Sequence, residues 1–91
     1  MRALVVEDEP QVAAFIADEL RLAGFTVDVA TDGLQGERLA SQFPYTIVLL
    51  DWMLPKRSGI EVCKALRAAR PGVPILMLTA LDGIEEQIKG L

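Results

Sequence analysis

Histidine is absent from the 91 residues, which removes the commonest general base and the commonest transition-metal ligand together. Any metal site must then be assembled from oxygen ligands, a donor set that suits Mg²⁺, Mn²⁺ or Ca²⁺ better than zinc. The single cysteine, Cys63, has no intramolecular partner, so nothing points to an oxidising compartment. No stretch approaches the about 18 consecutive apolar residues that a membrane span requires. Residues 1–6 turn acidic at Glu7-Asp8-Glu9 before any long apolar region develops, so no signal peptide is read. The expectation is a soluble cytoplasmic chain with no membrane partner. Aromatic residues are scarce, with three Phe, one Tyr and one Trp, and the core must be built mainly from Val, Leu, Ile and Ala.

What is present is apolar and modestly acidic: 52% hydrophobic residues, 24% charged and a net charge of −4. That balance favours collapse and excludes intrinsic disorder. The length falls below the usual ~100–150 residues of one domain, so residues 1–91 are read as a single domain. Charge is unevenly placed. Residues 1–37 hold eight acids against Arg2 and Arg21, whereas residues 38–91 hold seven bases against five acids. Five of those bases, Lys56, Arg57, Lys64, Arg67 and Arg70, fall in one predicted helix and the loop before it. An overall pI near 4.6 argues against a nucleic-acid surface, and these bases are read as a solvated helix face.

Short apolar runs alternate with segments of helical period, four times over. Ala3-Leu4-Val5-Val6 is a continuous apolar run, as expected of a strand covered on both faces. Pro10 suits the first turn of a helix, and Val12, Phe15, Ile16, Leu20 and Ala23 recur at helical spacing before Gly24 stops it. Phe25, Val27 and Val29 alternate with other residues, which predicts a strand near the sheet edge. Asp32-Gly33 then punctuates, and a weaker helix is predicted over residues 34–42.

Thr46-Ile47-Val48-Leu49-Leu50 reads as a second buried strand ending on Asp51. Ser58 with Glu61 three residues on predicts a capped helix whose inward stripe is Ile60, Cys63 and Leu66. Cys63 is thereby a small core residue rather than a reactive thiol. Pro74-Ile75-Leu76-Met77-Leu78 reads as a further buried strand ending on Thr79, and Asp82 starts a last helix with Ile84, Ile88 and Leu91 facing inward.

This βαβαβαβα order predicts an α/β fold with a parallel sheet and helices on both faces. In such sheets the ligand sits beyond the carboxyl ends of the strands, at the topological switch point. The residues there are Glu7 and Asp8 after the first strand, Asp51 after the third, and Thr79 and Ala80 after the fourth. Three carboxylates in one crevice repel unless a cation or protons intervene, and a histidine-free oxygen cluster is a natural Mg²⁺ site. An aspartate can attack phosphorus to give an acyl phosphate, with a hydroxyl such as Thr79 and the Ala80 amide supporting the phosphoryl oxygens.

The stretches Leu4-Val5-Val6-Glu7-Asp8-Glu9-Pro10, Ile47-Val48-Leu49-Leu50-Asp51-Trp52-Met53-Leu54-Pro55 with Ser58-Gly59, and Pro74-Ile75-Leu76-Met77-Leu78-Thr79-Ala80 resemble the receiver domain of two-component response regulators. The Glu-Asp form of the first pair is similar to the DNA-binding winged-helix class. The resemblance implies a flavodoxin-like doubly wound parallel sheet and a phosphoacceptor Asp51 served by a sensor histidine kinase. It implies Mg²⁺ bound directly by Asp8, mainly through water by Glu7, and by the Met53 backbone carbonyl beside Asp51. Thr79 becomes the switch hydroxyl and Ala80 a backbone donor to the phosphoryl group. Trp52 becomes a rim residue, and Lys56 receives no catalytic role. The module would turn over no external substrate, and it would meet DNA only through an output domain.

A complete receiver continues into a fifth strand ending in a lysine, and a fifth helix, neither of which this sequence reaches by Leu91. The expectation is therefore a (βα)₄ portion of that fold with strand order 2-1-3-4. The stretch Pro74-Ile75-Leu76-Met77-Leu78 would become an edge open to a homodimer or strand-swapped assembly. The alternative function is a structural or self-associating module without phosphorylation chemistry. An aspartyl-phosphate phosphatase is disfavoured because Met53 stands where such enzymes need a second aspartate. A flavin carrier is disfavoured because Glu7-Asp8-Glu9 would repel phosphate after the first strand.

Overall fold

The structure, a computed structural model, describes residues 1–52, 54 and 58–78. Four strands and three helices alternate: β1 (Arg2–Val6), α1 (Pro10–Leu22), β2 (Thr26–Ala30), α2 (Gly33–Gln42), β3 (Ile47–Asp51), α3 (Gly59–Ala69) and β4 (Ile75–Leu78). The strands form one sheet in the order β2-β1-β3-β4, and every pairing is parallel. The alternation read from the sequence is thus the doubly wound arrangement. The helix predicted from Asp82 onward lies outside the described residues.

The two-residue period of the strands divides the core into two layers. Ala3 and Val5 of β1, with Ile47 and Leu49 of β3, face α1 and pack with Ile16, Ala17 and Leu20. Leu4 and Val6, with Val48 and Leu50, face the other way and pack with Ala40 of α2 and Val62 and Leu66 of α3. All four residues of the apolar run in β1 are fully buried, because that strand has neighbours on both sides and helices on both faces. β2 is an edge strand, as its alternation predicted, with Val27 and Ala30 buried and Thr26 exposed.

Two helical stripes differ in phase from their sequence readings. In α1 the buried line is Ala13, Ile16, Ala17 and Leu20, while Phe15 is 37% exposed and Val12 lies at the margin. Ile16, Ala17 and Leu20 make the contact with the sheet, which leaves Val12 and Phe15 to either side of the buried line. In α3 the buried line is Gly59, Val62 and Leu66, with Cys63 half-buried beside it and Ile60 46% exposed. Gly59 packs directly on the end of β3, and that contact turns the helix so that Ile60 faces away. The apolar run of β4 reads as a buried strand, yet Ile75, Leu76 and Met77 are only half-buried and Leu78 alone is buried; among the described residues it is the outer strand, the edge position also expected for it.

Local signals fix the helix ends. α1 closes in a Schellman motif, with the Phe25 N–H donating to Leu20 O at 3.0 Å and the Gly24 N–H to Arg21 O at 3.0 Å. Gly24 holds φ +97°, a conformation that disfavours a Cβ. Asp32 caps α2 by accepting the Gln35 N–H at 2.8 Å, and Ser58 caps α3 by accepting the Glu61 N–H at 3.2 Å. At the amino end of the sheet, Arg2 pairs with Asp28 at 2.7 Å and its guanidinium lies 4.2 Å from the Phe43 ring centroid. Tyr45 donates its hydroxyl to the same Asp28 carboxylate at 2.8 Å, which ties β1, β2 and the segment entering β3 together.

Candidate functional site

The chain runs from β1 outward to β2 and then returns across β1 to β3, so the switch point lies between β1 and β3. In register, Val5 pairs with Leu49 and Val6 with Leu50. One step further, Glu7 follows β1 and Asp51 ends β3, and both leave the sheet on the face that carries α1. Glu7 is anchored by its own N–H, which donates to Ala30 O of β2 at 2.9 Å. Asp51 is anchored by pairing with Leu78 of β4, and the next residue, Trp52, donates its N–H to Leu78 O at 3.1 Å.

The result is a three-carboxylate cluster. One oxygen each from Glu7, Asp8 and Asp51 lies within 4.8 Å of the others. Glu7 is buried at 5% exposure, while Asp51 and Asp8 are half-buried at the mouth. Burial pushes the Glu7 carboxyl up to about 7. Hydrogen bonds to the Asp51 and Asp8 carboxylates and the charge of Asp51 act in the same direction, against the Glu9 N–H that donates to Glu7 Oε2 at 3.1 Å. Three carboxyls crowded at one point form a site whose mutual repulsion a hard cation would relieve. The all-oxygen donor set fits Mg²⁺ in both charge and ligand type.

Trp52 directly follows Asp51 in the chain and is 46% exposed, and Leu54 packs back onto the core layer of α2 and α3. Met53, Thr79 and Ala80, which the sequence places at the same site, lie outside the described residues, as does Lys56. One site residue entered the sequence reading only within the Ser58-Gly59 pair, with no role of its own. Gly59, at the first position of α3, donates its N–H to Trp52 O at 3.0 Å and sits against the Asp51 backbone. A glycine directly after a capping serine was the visible cue.

The architecture and the acid cluster define a doubly wound α/β domain with a candidate cation site at its switch point. The response regulator receiver domain model matches residues 3–91, and the chain belongs to that family. It is 45% identical over 91 residues to the transcriptional regulatory protein CusR of Escherichia coli (strain K12), a match covering 100% of this chain and 40% of CusR. The chain therefore spans about two-fifths of the length of that curated relative.

Solved structures agree with the fold. The receiver domain of sensor histidine kinase PA1611 from Pseudomonas aeruginosa PAO1, solved with a magnesium ion coordinated in its active-site cleft, is 36% identical with a TM-score of 0.83. That match covers 87% of this chain and 66% of the other. The complex of histidine kinase ThkA with response regulator TrrA gives 34% identity and a TM-score of 0.81, over 87% of this chain and 68% of the matched one. Among the described residues, no helix is long and apolar enough to cross a membrane.

Proposed function

We propose that residues 1–91 form one receiver domain that accepts a phosphoryl group on Asp51 from the phosphohistidine of a sensor histidine kinase, in a Mg²⁺-dependent reaction. The gathering of Glu7, Asp8 and Asp51 within 4.8 Å at the switch point of a receiver-family chain is the observation that supports this most directly. An Asp51 carboxylate oxygen attacks phosphorus. The P–O bond of an acyl phosphate forms as the P–N bond to the kinase imidazole breaks, and the imidazole departs with that electron pair.

Asp8, Glu7 and Asp51 would hold the cation, with the Met53 carbonyl completing the protein ligands. When bound, Mg²⁺ offsets the charge on the transferring phosphoryl oxygens. The Ala80 amide and the Thr79 hydroxyl, the latter as the switch, would each donate to a phosphoryl oxygen. The half-exposed Asp51 is reachable from outside, as a group that reacts with a second protein must be. No external substrate is turned over, because the product stays on the chain. In this reading the whole protein works in the cytoplasm and, like the transcriptional regulators it resembles, acts on DNA through a separate output region.

The test is incubation with Mg²⁺ and a small phosphodonor, followed by intact-mass measurement. Wild type should gain one phosphoryl group and Asp51→Asn none. Equal labelling of the two would overturn the assignment. A second reading draws on the half-buried apolar residues of β4 at the end of the sheet: self-association through Pro74-Ile75-Leu76-Met77-Leu78, as a homodimer or strand-swapped assembly, without phosphorylation chemistry. Light scattering showing a monomer that still becomes phosphorylated would exclude it.

A further inference from the structure

Resting on the reading of Asp51 as phosphoacceptor, we infer that Gly59 is a positioning residue whose missing side chain sets where the Asp51 carboxylate stands against Glu7 and Asp8. A Cβ at Gly59 would sit 2.6 Å from Asp51 O, 2.8 Å from Trp52 O and 2.9 Å from Trp52 Cα. All three are backbone atoms, so no rotamer change relieves the contact. The Gly59 N–H donates to Trp52 O at 3.0 Å, which makes the first turn of α3 a backbone clamp on the end of β3.

Neither side of the clamp yields easily. The β3 end is fixed to β4 through the Asp51–Leu78 pairing and the 3.1 Å bond from Trp52 N–H to Leu78 O. The α3 start is fixed by the Ser58 cap and by the 3.1 Å bond from Val62 N–H to Ser58 O. A methyl group wedged between them must displace one. Lifting α3 breaks the clamp, and shifting β3 moves Asp51 directly. Either change alters the spacing of carboxylate oxygens that now lie within 4.8 Å of one another. Displacements of this order are large for a site that works by position.

Gly59→Ala is compared in the full chain with Leu66→Ala. The latter removes a buried side chain from the same helix, two turns along from Gly59. Both are measured where circular dichroism shows the folded state. Gly59→Ala should weaken Mg²⁺ binding, followed through Trp52 fluorescence, by about ten- to a hundredfold. It should slow phosphorylation of Asp51 by a small phosphodonor roughly a hundredfold. Leu66→Ala should lower the melting temperature and leave both quantities near wild type.

A Gly59→Ala chain that binds Mg²⁺ and is phosphorylated as wild type overturns the inference, and so does a loss matched by Leu66→Ala. Should Gly59→Ala fail to fold, the wild-type Gly59 amide decides. Its hydrogen-exchange protection should rise on Mg²⁺ binding, and unchanged protection at saturating Mg²⁺ overturns the role. Wild type that takes up no phosphoryl group instead overturns the reading of Asp51, while the Mg²⁺ and exchange measurements still judge Gly59.

Discussion

Glu7 stands one register step beyond the Val6–Leu50 pair, which brings its carboxyl against that of Asp51 on the α1 face of the sheet. Two carboxylates in contact, one of them nearly dry, are tolerable only if a proton or a cation sits with them. The substitution Glu7→Gln keeps the shape of the side chain and removes its charge. In metal-free buffer at pH 8 it should raise stability within the roughly 0.5–3 kcal/mol range of single substitutions, read by urea denaturation. The same substitution should weaken Mg²⁺ binding about tenfold, followed by Trp52 fluorescence. Unchanged affinity would show that Glu7 is no part of the cation site.

Tyr45 gives an alkaline signature. Burial first, then the hydrogen bond to Asp28 and the Asp28 charge, push its phenol up to about 12, against the opposing pull of Arg2. The folded form thus holds this proton more tightly than the unfolded chain, whose tyrosine has the ordinary value of 10.0. The contribution is complete below the ordinary value and is lost as pH rises from about 10 to about 12. Tyr45→Phe should cost about 1 kcal/mol at neutral pH. It should also flatten the fall in stability over that alkaline window, which denaturation at a series of pH values measures.

The alternation of apolar runs made the doubly wound sheet legible, because β1 and β3 are flanked by strands and covered on both faces and so read as unbroken hydrophobic stretches. The acid cluster followed from the same logic, since Glu7, Asp8 and Asp51 directly follow or end those runs. The contact that fixes the Asp51 backbone was not legible. It depends on Gly59 meeting main-chain atoms, and glycine leaves no periodic trace. The Arg2–Asp28–Tyr45 cluster was equally hidden, because its three members are distant in sequence and meet only once β1, β2 and β3 lie side by side.

Gly24 separates backbone conformation from packing. It holds φ +97°, yet an added Cβ would meet nothing within 4 Å. The cost of Gly24→Ala is therefore conformational alone, about 1–2 kcal/mol for a left-handed alanine. Gly36→Ala should destabilise by a different route, since its Cβ would come 2.9 Å from Val6 Cγ2 and the valine must move. The two can be told apart by proton chemical shifts: Val6 methyl signals should shift in Gly36→Ala and stay in place in Gly24→Ala.

The phase of α3 is open to direct test. The spacing of Ile60, Cys63 and Leu66 suggests an inward stripe, whereas the structure buries Gly59, Val62 and Leu66 and leaves Ile60 46% exposed. Ile60→Lys should therefore change stability by no more than about 0.5 kcal/mol, as surface substitutions do. Val62 is fully buried against Leu4, Val6, Val48 and Leu50, so Val62→Ala removes packed methyl groups and leaves a cavity. Its cost should be about 2 kcal/mol, between the Ile→Val and Leu→Ala ranges. Urea denaturation of the two variants orders them. A large loss in Ile60→Lys with little in Val62→Ala would rotate the helix by about 100° and would break the contact between Gly59 and the Asp51 backbone on which the placement of the acid cluster depends.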